Sequence, residues 1–312
     1  MGLLPMDLDI LPPSDDRIFK KLLTSPDAKP VLMDLISSII DQPVVDVVVR
    51  NSELPIDDTE EKAERLDVNC EIDDGSLVDL EMQASRIQED SDGEYRNLKG
   101  KSVYYLCDLH SSQSSKGLRR YDKLAKTYQV TFCSYTVFHG RKDYANSFSM
   151  RHDQDNGLLT DSIRIMYVEL SKLRDILKKP VCDMTDMEKW AVFLGYASVQ
   201  KHRETINKVI ESKEALQMAG NILMSVSQDE QEQAMFRSRR MYETDMQSNL
   251  ATAEDRGVQK GLKKGMQKGM QKGIAVVARR MLVLNKPIGE IMEITGLTRK
   301  EVENLRKLSK KK

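Results

Sequence analysis

Two short runs with a three-residue break between them constrain the fold of this chain most tightly. The first is Arg65-Leu66-Asp67-Val68-Asn69-Cys70-Glu71-Ile72, the break is Asp73-Asp74-Gly75, and the second is Ser76-Leu77-Val78-Asp79-Leu80-Glu81-Met82-Gln83. Asp and Gly tolerate the positive φ of a tight reversal, so the pattern predicts a β-hairpin. Alternation along a strand puts Glu81 and Gln83 on one face and Leu80 and Met82 on the other. Asp67, on the partner strand, then comes beside Glu81, and two carboxylates and an amide surround one small volume. Like charges that close repel unless a cation sits between them. A divalent ion of the Mg2+ kind takes such oxygen ligands and works on phosphates. The competing explanation is a solvated acidic outer face.

The flanking sequence alternates helix and strand. Pro12-Pro13-Ser14-Asp15-Asp16 is a cap, followed at helical spacing by Ile18, Phe19, Leu22 and Leu23, and residues 31–40 read as a second helix. Residues 44–49 are β-branched and predict a first strand. An amphipathic helix is expected over 96–113, with strands over 129–138, 147–152 and 163–170. From 187 to about 255 the chain is rich in Glu, Gln, Met and Arg and should be mostly helix. Tyr104, Tyr105 and Tyr121 either stack on bases or fill the core.

In this order the residues resemble the PD-(D/E)xK nuclease core, in the form found in the Rpn family of recombination-promoting nucleases and transposase-like proteins. The likeness is carried by Asp16 with Ile18-Phe19-Lys20, by Asp67, the hairpin and Glu81-Met82-Gln83, by Arg96, Tyr105, Gln113, Gly117 and Tyr121, and by Asp161 followed by Val168-Glu169-Leu170-Ser171-Lys172. It implies an α/β fold, a restriction-endonuclease-like mixed sheet with flanking helices, followed by an α-helical C-terminal extension. The divisions expected are a nuclease domain over 12–180, a helical region over 181–255, and a basic Gly-repeat and trihelical segment over 256–312.

The resemblance further implies metal-dependent hydrolysis of DNA, in recombination or in mobile-element and phage-defence processes. Asp67 and Glu81 would hold Mg2+ or another divalent cation, Asp16 would assist, and Gln83 would orient the attacking water. Capping alone also explains an Asp at position 16. The chain departs from the wider superfamily at Gln83, where lysine is usual, and a neutral amide supplies no positive charge. Either the cation does all the activation or Lys62 substitutes. The rival reading is a non-catalytic DNA-binding or assembly protein with a degenerate nuclease fold. A third is an RNA-directed hydrolase.

Charge divides the chain. The net charge is −1, yet residues 256–312 carry sixteen Lys or Arg against four Glu, a net of +12. That end suits polyanions. Arg96, Lys99, Lys101, Lys116, Arg119 and Arg120 are candidate phosphate contacts. Arg299 and Lys300, at the start of a recognition-helix-like segment, are candidates for DNA contact, although trihelical ends also pack against partner chains. Gly257, Gly261, Gly265, Gly269 and Gly273 recur every four residues, as either a flexible basic linker or a helix that joins copies of the chain into a homo-oligomer. Cys70, Cys107, Cys133 and Cys182 form no C-x-x-C pair, the N-terminus lacks a signal-peptide pattern, and no apolar run approaches the ~18 residues that cross a bilayer. A cytoplasmic protein without membrane attachment is expected.

Overall fold

The computed structural model describes residues 3–50, 68–84, 94–113 and 120–309. Two compact units make up the chain, Met1–Ala234 and Met235–Lys312. The first is built on six strands: β1 (Val47–Val49), β2 (Val68–Ile72), β3 (Leu77–Gln83), β4 (Thr127–Cys133), β5 (Ala145–Arg151) and β6 (Leu158–Glu169). They form one sheet in the order β1-β2-β3-β4-β6-β5. β3, β4 and β6 run parallel in its middle, and the remaining pairs are antiparallel.

The hairpin forms as its sequence dictates. Gly75 takes φ 83° in the turn, a conformation that costs glycine nothing. Asp74 Oδ1 accepts from the Ser76 amide at 2.8 Å and closes the reversal. β3 is buried along nearly its whole length and β4 entirely, because helices cover both faces of the parallel core.

Val78, Leu80 and Met82 share one face with Val130 and Phe132. Against it lie α1 (Asp16–Thr24) and α2 (Lys29–Ile40); the Phe19 ring packs 5.5 Å from that of Phe132. α4 (Asp186–Tyr196), α5 (Arg203–Glu211) and α6 (Glu214–Gln228) follow, with α4 and α6 packed on α2, and α6 also on α1. Lys213 joins them: its ammonium pairs with Asp34 of α2 at 2.8 Å and with Asp186 of α4. Asp34 also accepts from the indole of Trp190 at 2.7 Å. The helical region expected over 181–255 is therefore divided, and its first part belongs to the sheet-containing unit.

The opposite face is covered by α3 (Arg96–Ser111), where Tyr95 and Leu98 meet Cys133, Tyr135, Val137 and Tyr167. Glu169, at the end of β6, is fully buried but satisfied. It accepts from the Val137 and Phe138 amides at 2.7 and 3.0 Å, from Asn146 at 3.0 Å and from Lys172 at 2.6 Å. These contacts tie the end of the sheet to the loop after β4.

In the second unit the glycine repeat is helical. α7 (Glu230–Val283) runs unbroken through all five glycines, and α8 (Ile288–Thr295) and α9 (Arg299–Ser309) follow. Ala278, Ile291 and Val302 are the buried centre of a small three-helix cluster. Gly296, at φ 69°, ends α8. Of the three short helices expected here, the first is the last stretch of α7.

Candidate active site

The site is built on the α3-covered face of β3. Glu81 lies across from Thr131 of β4, which lies across from Tyr167 of β6. Asp79 and Gln129 form the adjacent row on the same face. Glu81 is 3% exposed, so the solvated-face explanation fails for it. An ionised carboxylate at that depth needs compensation. Oε1 receives it from the ammonium of Lys101 on α3. Oε2 is buried and has no hydrogen-bond partner among the described residues.

A polar network runs beside this pair. Tyr167 donates to Ser102 Oγ at 2.8 Å, Ser102 donates to the Leu98 carbonyl at 3.2 Å, and Thr131 Oγ1 lies 3.5 Å from Ser102 Oγ. Burial, with Cys133 and Glu81 nearby, pushes the Tyr167 phenol up to about 12, so it stays protonated as a donor. Burial also pushes the Cys133 thiol up, helped by Glu169 and Glu81. A thiol raised in this way is no nucleophile.

Of the sequence-derived candidates, Gln83 sits two residues beyond Glu81 on the same face and is half-buried. Asp16 opens α1. Asp15, not Asp16, is the N-cap, accepting from the Arg17 and Ile18 amides at 3.0 and 3.2 Å; capping therefore does not account for Asp16. Arg96 is exposed at the first residue of α3. Arg299 and Lys300 are exposed at the start of α9, behind Thr298, whose hydroxyl donates to Glu301 at 2.6 Å. Asp67, Lys62, Lys116 and Arg119 lie outside the described residues. Gln113 has a structural task, fixing the loop before β4 through both backbone groups of Ala125 at 2.8 and 3.1 Å. Tyr104 and Tyr121 are 67% and 87% exposed, which removes them from the core.

Lys101, one of the candidate phosphate contacts, stands at the centre of the site beside Glu81. It adjoins the buried stripe of Leu98, Ser102 and Leu106 on α3. The ring of Tyr105, one turn on, lies 5.2 Å from its ammonium.

Glu81 fits a hard divalent ion: it offers a buried carboxylate oxygen that no described donor satisfies. Among the described residues no group of three His, Cys, Asp or Glu could hold a metal. No helix among the described residues is long and apolar enough to cross a membrane.

A mixed sheet with flanking helices and a motif acid on its central strand define a restriction-endonuclease-like α/β protein with a nuclease-type function. The chain belongs to the PD-(D/E)XK nuclease family transposases, whose family model matches residues 13–253. Comparison with curated proteins and with solved structures returned no match. The family implies DNA as substrate, and PD-(D/E)XK nucleases generally use divalent metal ions.

Proposed function

We propose that this chain is a Mg2+-dependent DNA endonuclease acting in recombination or in mobile-element and phage-defence processes. The observation that carries the reading is Glu81: a motif carboxylate buried on the central strand, with one oxygen held by a cation of the protein and the other without a described partner. Asp67, which immediately precedes Val68 of β2, is the second metal ligand in this reading. The ion, when bound, polarises the phosphodiester and makes a water more acidic. Gln83 orients that water through its amide, Asp16 assists from the start of α1, and Arg96, Lys116 and Arg119 hold the phosphate backbone. In the second unit, Arg299 and Lys300 give the DNA an additional hold, and α7 joins copies of the chain into an oligomer. Cytoplasm is the compartment.

Nicking of supercoiled plasmid tests the reading. Wild type should cut with Mg2+ and not with a chelator, and Asp67→Ala and Glu81→Ala should each reduce cutting by about 100-fold or more. The neutral Gln83 favours a second reading, a non-catalytic DNA-binding or assembly protein. Wild-type protein that binds the plasmid and never cuts it would establish that alternative. Competing RNA and DNA substrates in the same assay decide which sugar the site accepts.

A further inference from the structure

We propose that Lys101 of α3 supplies the positive charge that position 83 lacks, and that its ammonium contacts the phosphate group being hydrolysed. This rests on the nuclease reading above and adds a residue to it.

The two oxygens of Glu81 have different surroundings: Oε1 takes the Lys101 ammonium, whereas Oε2 has no described hydrogen-bond partner. One carboxylate can thus offer an oxygen to a divalent cation while the other keeps the ammonium beside it. Lys101 is also held in place. Leu98, Ser102 and Leu106 bury the adjoining face of α3, Ser102 accepts from Tyr167 of β6, and the ring of Tyr105 flanks the ammonium. The side chain of Lys101 is 30% exposed and that of Glu81 4%. The ammonium therefore stands between the buried acid and the solvent from which a nucleic acid arrives. An ammonium carries three donors, so a bond to Glu81 is compatible with one to a phosphate oxygen.

Charge is the reason to want it there. As a water oxygen bonds to phosphorus, one ester P–O bond breaks and the departing oxygen takes a proton. Negative charge accumulates on the phosphoryl oxygens during that exchange, and a fixed cation in a water-poor site stabilises it. Gln83 cannot do this. A lysine present only to neutralise Glu81 would be structural, and the two roles predict different variants.

The test uses the full chain with Lys101→Met, Lys101→Gln and Lys101→Arg. Plasmid nicking with Mg2+ is measured alongside Mn2+ binding by electron paramagnetic resonance and a thermal melt. Lys101→Gln keeps a donor for Glu81 without the charge, and decides the matter if Lys101→Met does not fold. The expected result is about 100-fold slower cutting in the neutral variants, with Mn2+ binding and melting retained, and most of the loss recovered in Lys101→Arg. Neutral variants that cut at the wild-type rate overturn the proposal. So does joint loss of Mn2+ binding and cutting that Lys101→Arg does not restore. If wild type itself does not cut, the nuclease reading fails and this proposal with it; a cutting wild type beside cutting variants sinks only the proposal.

Discussion

At the scale of the residue, Glu81 and its neighbours show what a strand pattern reveals and what it conceals. Period-two alternation puts Glu81 and Gln83 on one face, and the structure agrees. The identity of that face was not legible, because acidic residues on a hairpin also read as a solvated surface. Burial under α3 decides it, and α3 comes from a segment later in the chain. For the same reason the pairing of Lys101 with Glu81 was hidden: its partner lies twenty residues earlier and in another layer. Asp15 and Asp16 were indistinguishable as caps, since the choice depends on which residue takes the extended conformation. The cysteines give a direct check. Burial pushes the Cys70 thiol up to about 12, with Asp79 adding to it, and Cys133 is raised by burial as well. Cys107 and Cys182 are exposed. Alkylation of the native protein near neutral pH should label Cys107 and Cys182 alone, and denaturant should release the other two. Labelling of Cys133 in the native protein at the rate of Cys182 would contradict the buried face.

At the scale of the element, hydrophobic spacing predicted α1, α2, the hairpin and the central strands, with shifts at their ends. The five glycines were ambiguous, because a four-residue period serves a flexible linker and a helix alike. The intervening Lys, Gln and Met favour helix, and α7 is continuous. The contact of α2, α4 and α6 through Lys213 could not be read from the sequence, since its two carboxylates lie far away in it. Removing this ammonium leaves Asp34 and Asp186 facing each other. Lys213→Met should destabilise the first unit by about 1–2 kcal/mol, less than a fully buried pair because solvent screens it. The hydrogen bond from Lys213 is the main cause that holds Asp186 below its ordinary 3.8. Its stabilisation is present above that value and lost as pH falls through the lower folded one. Burial lowers Lys213, but its bonds to Asp186 and Asp34 outweigh this and hold it above 10.5. That contribution is complete below 10.5 and lost at higher pH. The difference between wild type and Lys213→Met should be level at neutral pH and shrink towards about pH 3. Melts followed by the fluorescence of Trp190, the sole tryptophan, measure it. A difference that grows on acidification would refute the assignment.

At the scale of the whole molecule, alternating helix and strand with a hairpin before the strongest strand sufficed for the fold class. The division of the chain was less legible. Residues after 180 look like a separate helical region in composition, yet α4 and α6 pack on α2, α6 also on α1, and α5 on α4 and α6, and all three belong to the sheet-containing unit, which extends to Ala234. Helical composition alone does not say what a helix packs against. The charge asymmetry was fully legible and falls on the second unit. All of this converges on one claim, that Glu81 is a ligand for a divalent cation. A ligand that binds only the folded state raises its stability by about 2.7 kcal/mol at a hundred times its dissociation constant. The thermal melt of the full chain with and without saturating Mg2+ is therefore the most direct measurement. Mg2+ should raise the midpoint of the first unit in wild type and leave that of Glu81→Gln unchanged. An equal rise in both proteins would contradict the account.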